Sequence, residues 1–403
     1  MVPNGWKQKK LSQLAEVKRG KFSARPRNDP KYYGGDIPFV QTGDVTGANT
    51  YLKSHSQTLN EDGLSVSKLF PKGTILITIA ANIGDTSIAS YDVAFPDSVV
   101  GIIANEDTDN VWLKYCLETV KGRLDAEASQ NAQKNINLQV LNPLQLLTPP
   151  YDEQKKIARI LSTWDKAIEK VDKLIENSKQ QKKALMQQLL TGKKRLPGFS
   201  GDWREVRLKD ISEILVSNVD KKSNAKERPV KLCNYTDVYY NDYITNKIEF
   251  MQVTAKESEI KKFKLEKGDV IITKDSETPG DIAIPTLVDE NIKNFVCGYH
   301  LAIIRPHLKL AVGDFLAALF SMPETRYYFF TLANGATRFG LNISSIQNAK
   351  FKVPKVEEQR AISVRLRTLN NIIASYLVRR ENISSQKQAL MQQLLTGKRR
   401  VQV

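Results

Sequence analysis

The chain has 403 residues, of which 41% are hydrophobic and 26% charged, a balance that excludes disorder and leaves room for two domains with real cores. Its 60 Lys and Arg against 44 Asp and Glu give a formal charge of +16 at pH 7, which favours polyanions, nucleic acid ahead of an anionic membrane surface. Residues 1–10 lack the apolar core of a signal peptide, and the greasiest stretch, residues 75–83, is too short to span a bilayer, so a cytoplasmic protein with no membrane partner is expected.

Residues 1–150 read as a mixed α and β head. Short β-rich runs, Ile75–Ile79 and Val99–Ile103, alternate with turn clusters of Gly, Asp, Asn and Pro. One helix is predicted over Val111–Val120, with Asp109 and Asn110 as caps. Pro149 and Pro150 then precede a long helix, in which Ile157, Leu161, Trp164, Ile168, Val171, Ile175, Ser178, Lys182, Leu185 and Leu189 fall at alternating steps of four and three. That spacing is the seam of a coiled coil, and Gly192 stands where a left-handed cap would end it. The connector is Lys193–Gly201, a run of charge, Pro and Gly.

The second head, residues 196–354, repeats the pattern with Val270–Thr273, Leu301–Ile304 and a helix over Phe315–Phe320, capped by Gly313 and Asp314. After Pro354 a second long helix carries the seam Ile362, Leu366, Leu369, Ile373, Tyr376, Arg380, Ile383, Lys387, Leu390 and Leu394, closed by Gly397. About forty residues make each helix roughly 60 Å long. The expected domains are therefore 1–150, 151–195, 196–354 and 355–403. Ser178, Lys182, Arg380 and Lys387 interrupt the second half of each apolar seam. Together with Leu185, Leu189, Leu390 and Leu394 they form a candidate surface for a partner's helices, although a polar break can also serve only to fix register.

The halves are copies. Ala184–Lys193 and Ala389–Lys398 both read ALMQQLLTGK, and 389 minus 184 gives an offset of 205 that also carries Glu153, Gln154 and Ile157 onto Glu358, Gln359 and Ile362. In the heads the offset drifts: Trp6 matches Trp203 at 197, and Gly73 matches Gly268 at 195. Helices of fixed length thus carry heads that differ by insertions. A pseudo-two-fold axis would lay the helices antiparallel, with heads touching two half sites separated by more than the roughly 34 Å of one DNA turn. Unlike heads imply unlike half sites.

Catalytic signatures are missing. The chain has no Gly-x-Gly turn for a dinucleotide or S-adenosylmethionine, no GxxxxGK[ST] phosphate loop, no HExxH and no GxSxG. Residues 142–145 read NPLQ and lack the second Pro and the aromatic ring that an adenine methyltransferase uses to hold a flipped base. Cys116, Cys233 and Cys297 are odd and scattered, which argues for a reducing compartment. Cys297 and His300 form a single CxxH, which reads as a half-buried thiol beside a strand histidine rather than as a metal site. The pattern is that of a binder. A self-sufficient DNA-modifying enzyme with a diverged site and a helical assembly scaffold with non-specific DNA binding stay open as alternatives.

Sequence-specific binding to double-stranded DNA needs cations for phosphates and forked polar side chains for base edges. In the first head the candidates are Lys18, Arg19, Lys21, Arg25 and Arg27 around Gly20 and Pro26, and the amide-rich Gln130, Asn131, Gln133, Lys134 and Asn135. In the second they are Lys221, Lys222, Lys226 and Arg228, then Lys274 after a β-run, and Thr337 with Arg338. Neutralising six or more phosphates would make log affinity fall with log salt at about −0.9 per phosphate, with no specificity required.

The duplicated Trp start (Trp6, Trp203), the β-run led by Lys72–Thr74 and Lys267–Asp269, the Glu-Gln helix start after Pro, and the closing LLTGK together resemble the specificity subunit of type I restriction-modification systems over essentially the whole chain. The resemblance implies an α+β fold of two pseudo-symmetric halves, each a target-recognition domain followed by a long helix, with the helices in an antiparallel coiled coil. It also implies that the chain is not an enzyme and holds no cofactor. Two modification subunits would bring S-adenosylmethionine and methylate adenine, and restriction subunits would bring ATP and Mg.

Overall fold

The computed structural model of the chain describes residues 2–128 and 135–402. Two compact units divide it: Met1–Leu174 with Tyr376–Val403, and Ile175–Ser375. Each unit therefore holds one head, the start of the helix that follows that head and the end of the other long helix.

In the first unit a five-stranded sheet has the order Ala15–Arg19, Val99–Ala104, Ile75–Thr78, Thr86–Ala89, Tyr51–Leu52. All its pairs are antiparallel except the last. Every residue of Ile75–Thr78 is buried, which explains why this strand reads as a continuous apolar run instead of alternating: both faces of the sheet are covered. A second sheet runs Gln57–Leu59, Tyr33–Phe39, Val93–Ala94, Leu69–Phe70. The helix Asn110–Ala128 packs Trp112, Leu113, Tyr115 and Leu117 into the core, where each large apolar side chain contributes on the order of 2 kcal/mol. Its cap is Asp109, whose carboxylate accepts from the Trp112 amide at 2.8 Å, while Asn110 lies within the helix.

The second unit repeats the order with Ser212–Val216, Leu301–Pro306, Val270–Thr273, Pro285–Val288 and Tyr243–Ile244, again parallel only at the last pair. Its second sheet is Met251–Ala255, Arg228–Cys233, Phe295–Cys297. The helix Gly313–Phe320 starts one residue earlier than a Gly313 cap would place it: Val312 is the N-cap, and Asp314 lies in the first turn.

The long helices are Tyr151–Leu189 and Val356–Leu394, 39 residues each. Every seam position is buried or half-buried. Gly192 and Gly397 adopt φ of 71° and 68°, the left-handed conformation that glycine takes without a Cβ penalty. Within the first unit Lys387 pairs with Asp165 at 2.5 Å and Arg380 with Asp172 at 2.7 Å, so these segments lie side by side and run in opposite directions.

The Glu-Gln pair that opens each long helix is a buried bracket. Gln154 accepts from the Asp109 amide at 2.9 Å and donates to the Pro149 carbonyl at 3.1 Å. Gln359 makes the same bonds to Val312 and Pro354 at 3.1 and 3.0 Å, tying the head's own helix to the start of the long one. Glu153 takes Arg400 in two bonds of 2.7 and 2.9 Å; Glu358 takes Arg195 in two of 2.6 Å. These bidentate bonds hold the arginine pKa values above their ordinary range. Among the described residues no helix is long and apolar enough to cross a membrane.

Candidate nucleic-acid interface

In the first head the strand Ala15–Arg19 runs out of the sheet into the basic loop. There Arg27 pairs with Asp97 at 3.0 Å, Arg19 donates to the Asp97 carbonyl at 2.6 Å, and Lys18 pairs with Glu16. Partial burial of Asp97 favours its neutral form, but the Arg27 and Arg19 guanidinium groups prevail and hold its pKa below the usual carboxylate range. Arg25 turns one guanidinium nitrogen onto the Ala24 carbonyl at 2.7 Å, and Lys21 is exposed. The structure therefore brings Arg19 and Arg27 together around Asp97, an acid the sequence did not single out.

Beside this loop the strand ending at Phe39 delivers Gln41, and the antiparallel strand Gln57–Leu59 sets Gln57 opposite Phe39. Gln41 Nε2 donates to Gln57 Oε1 at 2.9 Å. Asp44 accepts from the Gln41 amide and the Ser56 hydroxyl, both at 2.8 Å, and so fixes both chain segments that carry these amides. Below them Phe22 and Phe39 pack with ring centroids 4.9 Å apart. Of the amide-rich run, Gln130, Asn131, Gln133 and Lys134 lie outside the described residues. Asn135 is half-buried and bridges to Ala80.

In the second head, Lys221, Lys222, Lys226 and Arg228 are exposed, with Lys222 3.7 Å from Asp220 and Arg228 2.8 Å from Glu257. Lys274 is half-buried against Asp275 at 2.6 Å. The short strand Asp275–Ser276 pairs with Phe339–Gly340, which brings the loop carrying exposed Thr337 and Arg338 to the same place. His300 Nδ1 lies 3.4 Å from Asp275. Burial lowers the His300 pKa first; Asp275 opposes, and the Arg338 and Lys221 charges add to the lowering, so the ring is mostly neutral at pH 7. Around His300 and Asp275 the chain thus gathers the charges of Lys221, Lys274 and Arg338, which are far apart in sequence.

Next to it the helix Tyr235–Tyr239 stacks Tyr235 on Tyr239 at 5.6 Å, and Tyr240 stands 77% exposed. Tyr239 donates to Asp281 at 3.2 Å. None of these tyrosines was singled out, yet one sequence signal marks the region. Gln41, Asp44 and Val45 recur 193 residues later as Asn234, Asp237 and Val238, and Asp237 again accepts from the cap amide, at 2.7 Å.

The CxxH does not make a half-buried thiol beside a strand histidine. Cys297 is fully buried, which pushes its thiol pKa up, and His300 lies in a turn before the strand, facing Asp275. Among the described residues no group of three or more His, Cys, Asp or Glu is placed to hold a metal ion.

The residues named as a partner surface are engaged inside the chain. Leu189 and Leu394 are in the cores, Ser178 is buried, and Leu185 and Leu390 pack against those cores. Arg380 and Lys387 meet Asp172 and Asp165, and Lys182 lies 4.0 Å from Asp242. Thus the polar breaks at Arg380 and Lys387 are filled by acids of the first helix. The large apolar side chains that the second helix leaves in solvent are Val364, Ile372, Leu377 and Val378.

A family model described as the type I restriction modification DNA specificity domain matches residues 3–177 and again 200–382. The MjaVIII specificity subunit of Methanocaldococcus jannaschii is 23% identical over 425 residues, covering 99% of this chain and 94% of its own. The EcoBI specificity subunit of Escherichia coli is 24% identical over 401 residues, covering 91% and 80%. Among solved structures, the S subunit from M. genitalium is similar in fold with a TM-score of 0.59 at 17% identity, covering 98% of each chain. A chain from a structure of type I restriction-modification complex assembly and conformational transition matches at 0.62 and 16%, with the same coverage. With both halves matched by one DNA-specificity domain, and the five-stranded sheet repeated in the same order, the chain belongs to the specificity subunits of type I restriction-modification systems.

Proposed function

We propose that the chain reads a two-part, asymmetric stretch of duplex DNA, one part with each head, and that its long helices set the unread spacer by pairing antiparallel along their length. Specificity subunits of this family are noncatalytic; catalysis lies in partner subunits. The finer assignment is two modification subunits, which bring S-adenosylmethionine and methylate adenine, and restriction subunits, which bring ATP and Mg, all in the cytoplasm. The observation that carries the reading is one strand order used twice with unlike polar residues at its loop ends.

Phosphate contacts are assigned to Lys21, Lys221, Lys226, Thr337 and Arg338, which are exposed, with Lys18, Arg19, Arg25, Arg27, Lys222, Arg228 and Lys274 contributing after release from their carboxylate or carbonyl partners. The partner surface is assigned to the exposed apolar side chains Leu377 and Val378 of the second helix. The test is to purify the chain with its modification partner and map methylated adenines. A split target with unlike halves is expected; a contiguous target, or modification without sequence preference, overturns the reading.

A further inference from the structure

The hollow of about 400 Å³ beside the basic loop of the first head is lined by Phe22, Tyr33, Phe39, Gln41, Gln57 and Arg27, among others. Its rim is the amide pair. Once Gln41 Nε2 has donated to Gln57 Oε1, Gln41 Oε1 still offers an acceptor and Gln57 Nε2 a donor, and neither has a protein partner among the described residues. Exchanging oxygen and nitrogen in both amides reverses the internal bond and leaves the same outward pair, one donor and one acceptor. In the major groove adenine presents N7 as acceptor beside N6–H as donor; guanine presents two acceptors, cytosine a donor, and thymine an acceptor with a methyl group. A fixed donor–acceptor pair is therefore complementary to adenine.

Resting on the reading of this head as a DNA-recognition domain, we propose that Gln41 and Gln57 together form the adenine-specific base reader of the first half site. The fork is held before DNA arrives. Asp44 fixes both segments, Phe39 stands opposite Gln57 in the strand register, and the Phe22, Tyr33 and Phe39 rings pack against one another beneath. Tyr33 also donates to the Arg27 carbonyl at 2.5 Å, which ties the fork's floor to the loop that carries the phosphate cations. At the matching register of the second head, Leu232 is opposite Met251, and Asn234 stands where Gln41 does, so that head has no such fork.

Gln57 is the residue to change, because it is exposed while Gln41 also opens the short helix. The full chain, assembled with its modification partner, is challenged with a pool of double-stranded DNA carrying randomised positions, and the retained sequences are counted. The parent protein is expected to favour adenine roughly tenfold or more at one position of one half site. Gln57→Glu turns the outward pair into two acceptors, so the preference there moves toward cytosine. Gln57→Leu abolishes it without replacement, while every other position, and binding to DNA lacking the site, stays as in the parent. Gln57→Asn guards against a folding defect: it shortens the fork and should weaken the adenine preference with an unchanged melting temperature. Unaltered preferences in all three variants overturn the fork but leave the DNA reading intact. A change confined to a position where the parent prefers another base overturns the adenine assignment. A parent that retains no sequence at all overturns both.

Discussion

The two heads share a strand order and differ at its rim, and the contrast separates framework from reader. In each, the five-stranded sheet is buried through its central strands, and a glutamine bracket ties the head to its long helix. At the open end the first head sets two amides over a Phe and Tyr floor, whereas the second sets stacked tyrosines beside a charged cluster of Lys274, Asp275, His300 and Arg338. Buried positions are constrained by packing on several sides, and loop ends by one side only. Divergence after duplication has collected where it costs the fold least.

The sharpest way to break this comparison is at the bracket, where the heads should respond alike. Replacing Gln154 or Gln359 with Leu strands one buried amide and one carbonyl or more, at roughly 1–3 kcal/mol each, so each variant should lose on the order of 3 kcal/mol, read as a fall in melting temperature. Unequal losses would mean that the bracket is not one device used twice. The tryptophans should respond differently. Trp6 Nε1 donates to buried Glu153 at 3.0 Å, while Trp203 Nε1 is buried without a hydrogen-bond partner among the described residues. Trp6→Phe should therefore cost about 2 kcal/mol more than Trp203→Phe, since hydrogen bonds to charged groups are worth roughly 1.5–3 kcal/mol.

Much of the framework was legible because it is periodic or repeated. The 205-residue offset, the seam at steps of four and three, and the Pro and Gly punctuation gave both long helices to within a residue or two. Apolar runs gave the central strands. The rim was not legible, because it is made by register between strands: Gln57 meets Gln41 only through the pairing of Phe39 with Gln57, and the Arg338 charge reaches His300 only through that of Asp275 with Gly340. No local spacing marks either pair. The polar interruptions of the seam at Arg380 and Lys387 pair with Asp172 and Asp165, contacts that no spacing within one helix marks.

A smaller effect distinguishes cations that are already paired from those that are not. Arg338 is exposed and carries no ion pair among the described residues, so its replacement by Ala should remove about 0.9 from the slope of log affinity against log salt. Arg27 must first leave Asp97 before it can neutralise a phosphate, so Arg27→Ala should change the slope by less. Equal changes, measured by titrating duplex DNA over a salt series, would remove the distinction.

The smallest effect lies where the repeat swaps an acid for an amide. Asp165 accepts from the Thr50 and Tyr115 hydroxyls, both at 2.6 Å, and pairs with Lys387; the residue 205 positions later is Asn370, which donates to the Tyr243 hydroxyl at 2.7 Å. Burial works against the Asp165 charge, yet Lys387 and the two hydroxyls prevail and hold its pKa below the ordinary carboxylate range. A carboxylate whose pKa is lower in the folded chain than in the unfolded one adds stability that is complete above the unfolded value, and loses it as pH falls through the folded value. The first unit's anchor should thus weaken below roughly pH 4, while the Asn370 anchor does not titrate. Melting curves over a pH series should show parent and Asp165→Asn well apart near neutrality and converging in acid. A constant gap would mean that Lys387, not the charge on Asp165, carries the anchor. Asn370→Asp provides the converse: with Lys182, the counterpart of Lys387, turning from Asp242 to the new carboxylate, the anchor at position 370 should become acid-sensitive as well.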